Sequence, residues 1–349
     1  MKITFLIGNG FDLNLGLKTS YSDFLKQYRI DKESDSEIIK WFKKDVLADS
    51  DLWSSAEKAF GKCTSQFKNE NRNAEMFCEC HEDFCINLAE YLQEQELRIS
   101  QNSIESIIET SFKNAITNYY DGFKEVPQNE IKLFIKGIGE GYTYNFISFN
   151  YTEILDKCVI ALKNKGGILG RRNTSGGVYQ NVVGKLLHVH GYTYRDMILG
   201  VNDESQIEDM SIFDGYGEEY VGQLIKIKSN QMNDEGIDEK VHSLLKESNI
   251  IYVYGMSIGE TDALWWKRIC ELLKQKKNLL LIIHKYDAPE EKLINRSFVT
   301  YTKEKRAEFL SFSTLTDEEK KAISSRIYID RSNIFKDLKK MTDKNFEIG

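Results

Sequence analysis

Four short polar clusters, each directly following an apolar run, gather the side chains in this sequence that could do chemistry. They are Gly8-Asn9-Gly10-Phe11-Asp12, Asn150-Tyr151-Thr152, His188-Val189-His190-Gly191, and Gly255-Met256-Ser257 with Asp262 beyond it. Closely spaced glycines let a backbone bend sharply and let a phosphate approach N–H groups with no Cβ in the way. A helix start after them would add unpaired donors and partial positive charge. Histidine titrates near neutrality, which suits it to proton transfer or to metal binding. Taken singly, each cluster has an ordinary explanation as a turn. The full GxGxxG fingerprint is not met either, because Leu13 stands where the third glycine would be.

Two further patterns bear on metals. His188 and His190 alternate along an apolar run, so a strand would turn them to one face. With Asp12, Asp203 or Asp262 they would make a divalent-metal site for nuclease or phosphoester chemistry. Cys78-Glu79-Cys80-His81, with Cys85 beyond, offers ligands by type but lacks the CxxC spacing of structural zinc. Cys78 and Cys85 lie a heptad apart beside Phe77, Phe84 and Leu88, which is the pattern of a packed helix face with small buried thiols.

The elements that must position these clusters are read from hydrophobic periodicity. Ile3 to Ile7 reads as a buried strand, and so do 144–149, 182–189, 250–254, 278–284 and 326–330, with a short one at 197–200. Residues 19 to about 125 read as helices, Ser20 and Asp23 forming a weak capping box at their start. No second strand and no acidic strand end occur in that stretch, where a dehydrogenase would need both. The glycine-rich stretch 166–177, with Arg171 and Arg172, reads as a loop or hairpin. Further helices are expected over 153–162, over 263–274, and at about 288–296, 303–310, 316–323 and 333–340, while 203–240 is charged and only loosely periodic, so its structure stays open. Apolar strands alternating with helices predict an α/β fold, a mostly parallel Rossmann-like sheet covered by helices, with a helical insertion after the first strand. The expected division is a nucleotide-binding core of residues 1–20 and 140–349, with 21–139 as an inserted helical bundle. The four clusters then converge outside the carboxyl ends of the strands, where such sheets bind ligands.

Composition narrows the class. The 349 residues include 47 Lys and Arg against 54 Asp and Glu, a net charge of −7 that argues against broad nucleic-acid binding. No apolar run approaches the roughly 20 residues of a membrane helix, and the opening residues read as a core strand rather than a signal peptide. The six cysteines show no disulfide-framework spacing. A soluble cytoplasmic protein is expected.

The opening Ile7-Gly8-Asn9-Gly10-Phe11-Asp12-Leu13, with Gly16-Leu17, Thr19-Ser20-Tyr21 and Phe24, resembles the start of the AbiH abortive-infection family. Ser148-Phe149-Asn150-Tyr151-Thr152, His188-Val189-His190-Gly191 and Tyr254-Gly255-Met256-Ser257 with Asp262 match its later blocks in order, so the resemblance covers roughly residues 3 to 285. It implies bacterial defence against phage by shutting down the infected cell. A phage-derived trigger, and self-association or partner docking through the helical insertion, are further expectations.

More remotely, the same order of blocks is similar to sirtuin-like NAD-binding domains. That resemblance implies Gly8 and Gly10 facing the phosphates, Gly255 and Ser257 at the later ribose-side loop, Asn150 as the asparagine of the NxD strand end, and His190 as the histidine of the HG pair; Asn9, Asp12 and Asp262 are further candidate cofactor-binding residues. It departs at Thr152, where the NxD aspartate would stand; Asp12 and Glu153 are the candidate substitutes. The implied chemistry is cleavage of the ribose–nicotinamide bond through an oxocarbenium-like state, with Asn150 orienting water and His190 accepting a proton from a ribose hydroxyl. NAD would be substrate or ligand, with no metal expected. Two other readings stay open: a non-catalytic nucleotide sensor or scaffold, and a metal-dependent nuclease or phosphoesterase using His188 and His190.

Overall fold

In this computed structural model the described residues are 1–28, 32–138, 141–174, 176–233, 236–287 and 296–341. Seven strands form one sheet: β1 (Lys2–Ile7), β2 (Thr143–Ser148), β3 (Ile168–Thr174), β4 (Gly177–His188), β5 (Ile250–Tyr254), β6 (Leu280–His284) and β7 (Ile327–Asp330). Their spatial order is β3-β4-β2-β1-β5-β6-β7, and every neighbouring pair is parallel except the β3/β4 hairpin at one edge. Counting the parallel strands alone gives the order 3-2-1-4-5-6 of doubly wound dinucleotide-binding sheets. The chain reverses direction across the sheet at β1 and β5, so the ligand crevice is expected above their carboxyl ends.

The strands read as continuous apolar runs because both faces of the sheet are covered, and alternate residues serve two cores. Ile3, Phe5 and Ile7 of β1, with Tyr144 and Phe146 of β2 and Tyr252 of β5, enter one core. Leu6, Ile147, Ile251 and Val253 enter the other. Phe5 stacks on Phe146 at 5.6 Å between ring centroids and lies 5.4 Å from Tyr252. Truncating such a central ring to alanine costs about 3–5 kcal/mol. Helices at Gln101–Ile107, Glu125–Lys136 and Ile154–Asn164 cover the first face; Ile237–Glu247, Ala263–Gln275, Arg296–Ser311 and Asp317–Ser324 cover the second.

The inserted segment divides between two cores. Its later part, with Ile104, Ile108, Phe112 and Ile116, packs on the sheet. Its earlier part, from Phe24 to Leu92, builds a separate aromatic core that also takes in Leu199, Val201, Ile212, Phe213, Leu224 and Ile225. The loosely periodic stretch after His190 is therefore half of a cap: short helical turns joined by a parallel bridge between Val201 and Ile225. The two halves meet closely. A Cβ on Gly61 would lie 2.2 Å from the Gln206 carbonyl oxygen, and Gly61 O accepts from Glu208 N–H at 2.9 Å.

Most sequence expectations match elements, including the hairpin at 166–177. The strand expected at 197–200 reduces to that single bridge at Val201. A helix does span Arg296–Ser311, whereas the one expected at about 288–296 lies almost wholly outside the described residues. Cys78, Cys80 and Cys85 sit on the helix Ala74–Glu96, Cys80 fully buried, and among the described residues no group of three or more His, Cys, Asp or Glu side chains is placed to hold a metal ion. No helix among them is long and apolar enough to cross a membrane.

Candidate functional site

A cavity of about 940 Å³ opens above the carboxyl ends of the strands. Gly8, Asn9, Gly10, Asp12, Asn150, His190, Gly255, Ser257 and Asp262, all proposed from sequence, line it together with Thr152, and the cap contributes Tyr21, Ser55 and Glu57.

The glycines have a reason other than phosphate access. Gly8 N–H donates to the Tyr254 carbonyl at 2.9 Å and Gly10 N–H to the Gly255 carbonyl at 2.8 Å, so the loops after β1 and β5 are stitched together. A Cβ on Gly10 would stand 2.4 Å from Gly255 Cα, and Gly255 has φ +68°, a left-handed conformation that favours glycine. Those two donors are therefore spent inside the protein. The helix after them, Gly10–Asn14, is a single turn. Asn9 is likewise committed: its amide donates to Thr19 O at 2.9 Å and its Oδ1 accepts from Thr19 Oγ1 at 2.6 Å, tying the loop to the entry of the cap.

The unspent polar groups lie beside these loops. Asp12 is 1% exposed, and its Oδ2 accepts from Thr152 Oγ1 at 2.6 Å across 140 residues of chain. Burial pushes its carboxyl up to about 7, reinforced by Glu96 and opposed by the Thr152 hydrogen bond, by Asn150 and by His188. Asn150 lies next to it and favours its ionised form, yet no hydrogen bond of ordinary geometry joins them: Asp12 Oδ1, Asn150 Oδ1 and Asn150 Nδ2 are buried with no partner. His190 Nε2 is a fourth such atom. Buried polar groups are normally hydrogen-bonded, and leaving one unmade costs about 1–3 kcal/mol. Four such atoms on three side chains lie around this one cavity.

His188 and His190 do not share a face. β4 ends at His188, so the strand's two-residue alternation does not extend to His190, and Gly191 at φ +70° turns the chain back. His188 packs behind the site. Its Nε2 lies 2.7 Å from Asp156 Oδ2 and its Nδ1 3.1 Å from the Asn150 carbonyl, which fixes the backbone that presents the Asn150 amide. Both nitrogens face oxygen acceptors, so neither is open to a metal shared with His190.

His190 sits edge-on to Phe149 and 3.6 Å from Asp262 Oδ1. Burial, reinforced by the Lys226 cation, depresses its pKa to about 3 against the pull of Asp262. Lys226 escapes a sequence reading because it lies in the aperiodic stretch. It is buried, and its Nζ bonds Glu57 Oε2 at 3.1 Å, Asp262 Oδ1 at 3.2 Å and the Thr261 carbonyl at 2.9 Å. Burial works against the Lys226 charge, but the two carboxylates outweigh it and its pKa is raised. Glu57, from the other half of the cap, is raised by burial and by Asp262 against the pull of Lys226. This ion cluster joins both cap segments to the core beside His190.

Fold and site thus define a doubly wound α/β protein with a polar pocket at its topological switch point. The chain belongs to the family described as Bacteriophage abortive infection AbiH, whose model matches residues 4–284. Membership gives it a role in bacterial defence against phage by abortive infection. No curated protein matches it significantly, and no solved structure does.

Proposed function

We propose that the pocket binds NAD or a related nucleotide and that the chain hydrolyses the bond between nicotinamide and ribose. The observation that supports this best is the convergence of four unpartnered polar atoms, on Asp12, Asn150 and His190, beside the loops after β1 and β5. The switch-point crevice of a sheet in this strand order is where dinucleotides bind, and the cavity lies in the size range of small-molecule sites.

The chemistry needs little acid catalysis, since the leaving ring is already cationic. It needs a placed water and polar contacts to the ribose. The Asn150 amide, its backbone held by His188, is suited to orient that water. His190 is neutral across the physiological range, so its Nε2 bonds a ribose hydroxyl as an uncharged partner. Asp262, at 3.6 Å, is the carboxylate that would stabilise His190 if it took up a proton. A second reading, binding without turnover, draws support from the low basicity of His190. The metal-dependent alternative has lost His188 to Asp156 and the Asn150 carbonyl.

The test is release of free nicotinamide from NAD by the full chain, compared with Asn150→Ala and His190→Ala and repeated with EDTA. Hydrolysis predicts release that either substitution abolishes and EDTA leaves intact. Release by the Asn150→Ala protein at the wild-type rate would overturn the residue assignments, and loss in EDTA would revive the metal reading.

A further inference from the structure

We propose that Asp12, positioned by Thr152, is the carboxylate that faces the cationic centre of the ligand, so that the pocket selects the oxidised nicotinamide ring over its neutral reduced form. This deepens the reading above and rests on it.

The assignment rests on which carboxylates are already committed. At the end of the pocket formed by β1, β2 and β4, Asp262 and Glu57 share the Lys226 ammonium. Glu96 accepts from the Glu153 backbone N–H at 3.0 Å and lies 3.4 Å from Lys157 Nζ. Glu153 Oε1 accepts from Tyr194 OH at 3.0 Å near the surface. Asp156 is taken by His188. Among the described residues, Asp12 is left with no cation within ion-pair distance. One of its oxygens is held by Thr152 and the other is buried, unpartnered, and beside Asn150. A buried carboxylate without a countercharge is unfavourable alone and attracts a cation strongly, because there is little water to screen the pair. The raised proton affinity of Asp12 reflects the same imbalance.

A nicotinamide ring bonded to ribose carries such a charge in its oxidised form and none in its reduced form. During hydrolysis the bond between C1′ and the ring nitrogen breaks, and its electron pair moves onto that nitrogen and neutralises the ring. Positive charge then resides on C1′ and the ring oxygen of the ribose until a water oxygen bonds to C1′ and a proton leaves to solvent. Asp12 exchanges no atom in this sequence. It stabilises the charge first on the ring and then on the sugar. Thr152 is a positioning residue: its hydroxyl holds one carboxylate oxygen and leaves the other unpartnered.

The test measures binding of NAD⁺ and of NADH to the full chain and to its Asp12→Asn and Thr152→Val variants, with nicotinamide release as a second readout. The amide introduced by Asp12→Asn can still accept from Thr152, so the fold is kept. The wild-type chain is expected to bind NAD⁺ at least about tenfold more tightly than NADH, the ratio equivalent to one pKa unit of differential interaction. Asp12→Asn should bring that ratio close to one and slow release. Thr152→Val should lower the ratio partway. A wild-type ratio retained in Asp12→Asn would overturn the assignment while leaving the nucleotide reading standing. Failure of the wild-type chain to bind either form would overturn both.

Discussion

Replacing Asp12 by Asn is expected to stabilise the folded chain above pH 7, even though it removes a proposed functional group. In the unfolded chain the carboxyl ionises around its ordinary value of 3.8, whereas in the fold it keeps its proton until about pH 7. Folding therefore takes up a proton between those values. The contribution of Asp12 is most favourable below pH 3.8, declines as pH rises, and levels off above about 7. At about 1.4 kcal/mol per pH unit the ceiling on this penalty is about 4 kcal/mol. The groups around Asp12 that share in it are Glu96, His188 and Cys158, with Thr152 and Asn150 as its polar neighbours. An Asn amide at this position is itself incompletely bonded, so a net gain of about 1–3 kcal/mol at pH 8 is expected. His190 acts in the opposite sense. Its folded value of about 3 lies below its ordinary 6.5, so stability is lost as pH falls below 6.5. The two slopes oppose each other in the wild-type chain between about pH 4 and 6.5, and Asp12→Asn should remove the Asp12 slope from the total. Urea unfolding of both proteins at pH 5 and pH 8 measures this. An Asn variant no more stable than wild type at pH 8, or a gap between the two proteins that does not widen from pH 5 to pH 8, would refute the burial penalty on Asp12.

The same geometry sets three other outcomes. Lys226→Met should destabilise by about 3–5 kcal/mol, because it leaves Glu57 and Asp262 facing each other without their cation. It should also raise the His190 titration midpoint, which imidazole nitrogen NMR at low pH would follow. Gly255→Ala should cost at least about 1–2 kcal/mol for its left-handed backbone alone. Its Cβ would also stand 2.7 Å from Phe11 N, so a lower melting temperature should come with weaker ligand binding. His188→Ala would leave Asp156 Oδ2 unpaired and the Asn150 carbonyl with only the 3.5 Å bond from Ser148 Oγ, costing about 1–3 kcal/mol and weakening nucleotide binding from behind the site rather than at the ligand itself. Chemical denaturation and a binding titration check both parts.

The sheet was legible because its strands are buried on both faces and so read as uninterrupted apolar runs, and because each ends abruptly in polar residues. That punctuation also brought out the site: Asn150, His190 and Gly255 are visible in the polar residues just after β2, β4 and β5. The features that stayed hidden depended on register or on aperiodic chain. The Thr152–Asp12 bond joins residues 140 positions apart and exists only because β1 and β2 lie side by side with Ile7 opposite Ser148. Lys226 reaches the site from a cap half made of short turns, which carry no helical or strand period. His188 and His190 looked equivalent because strand alternation was extended past the last residue of the strand. The spacing of Gly8 and Gly10 was informative, but the close partner it accommodates is the Gly255 backbone.

Whether the switch-point pocket is a nucleotide site organised by Asn150 and His190 is tested most directly by equilibrium binding of NAD to the full chain. Binding does not require that the protein be in an active state. One NAD should bind per chain, with affinity reduced at least about tenfold in Asn150→Ala and His190→Ala, the loss of one or two buried hydrogen bonds. No saturable binding by the wild-type chain, or binding that both substitutions leave unchanged, would contradict it.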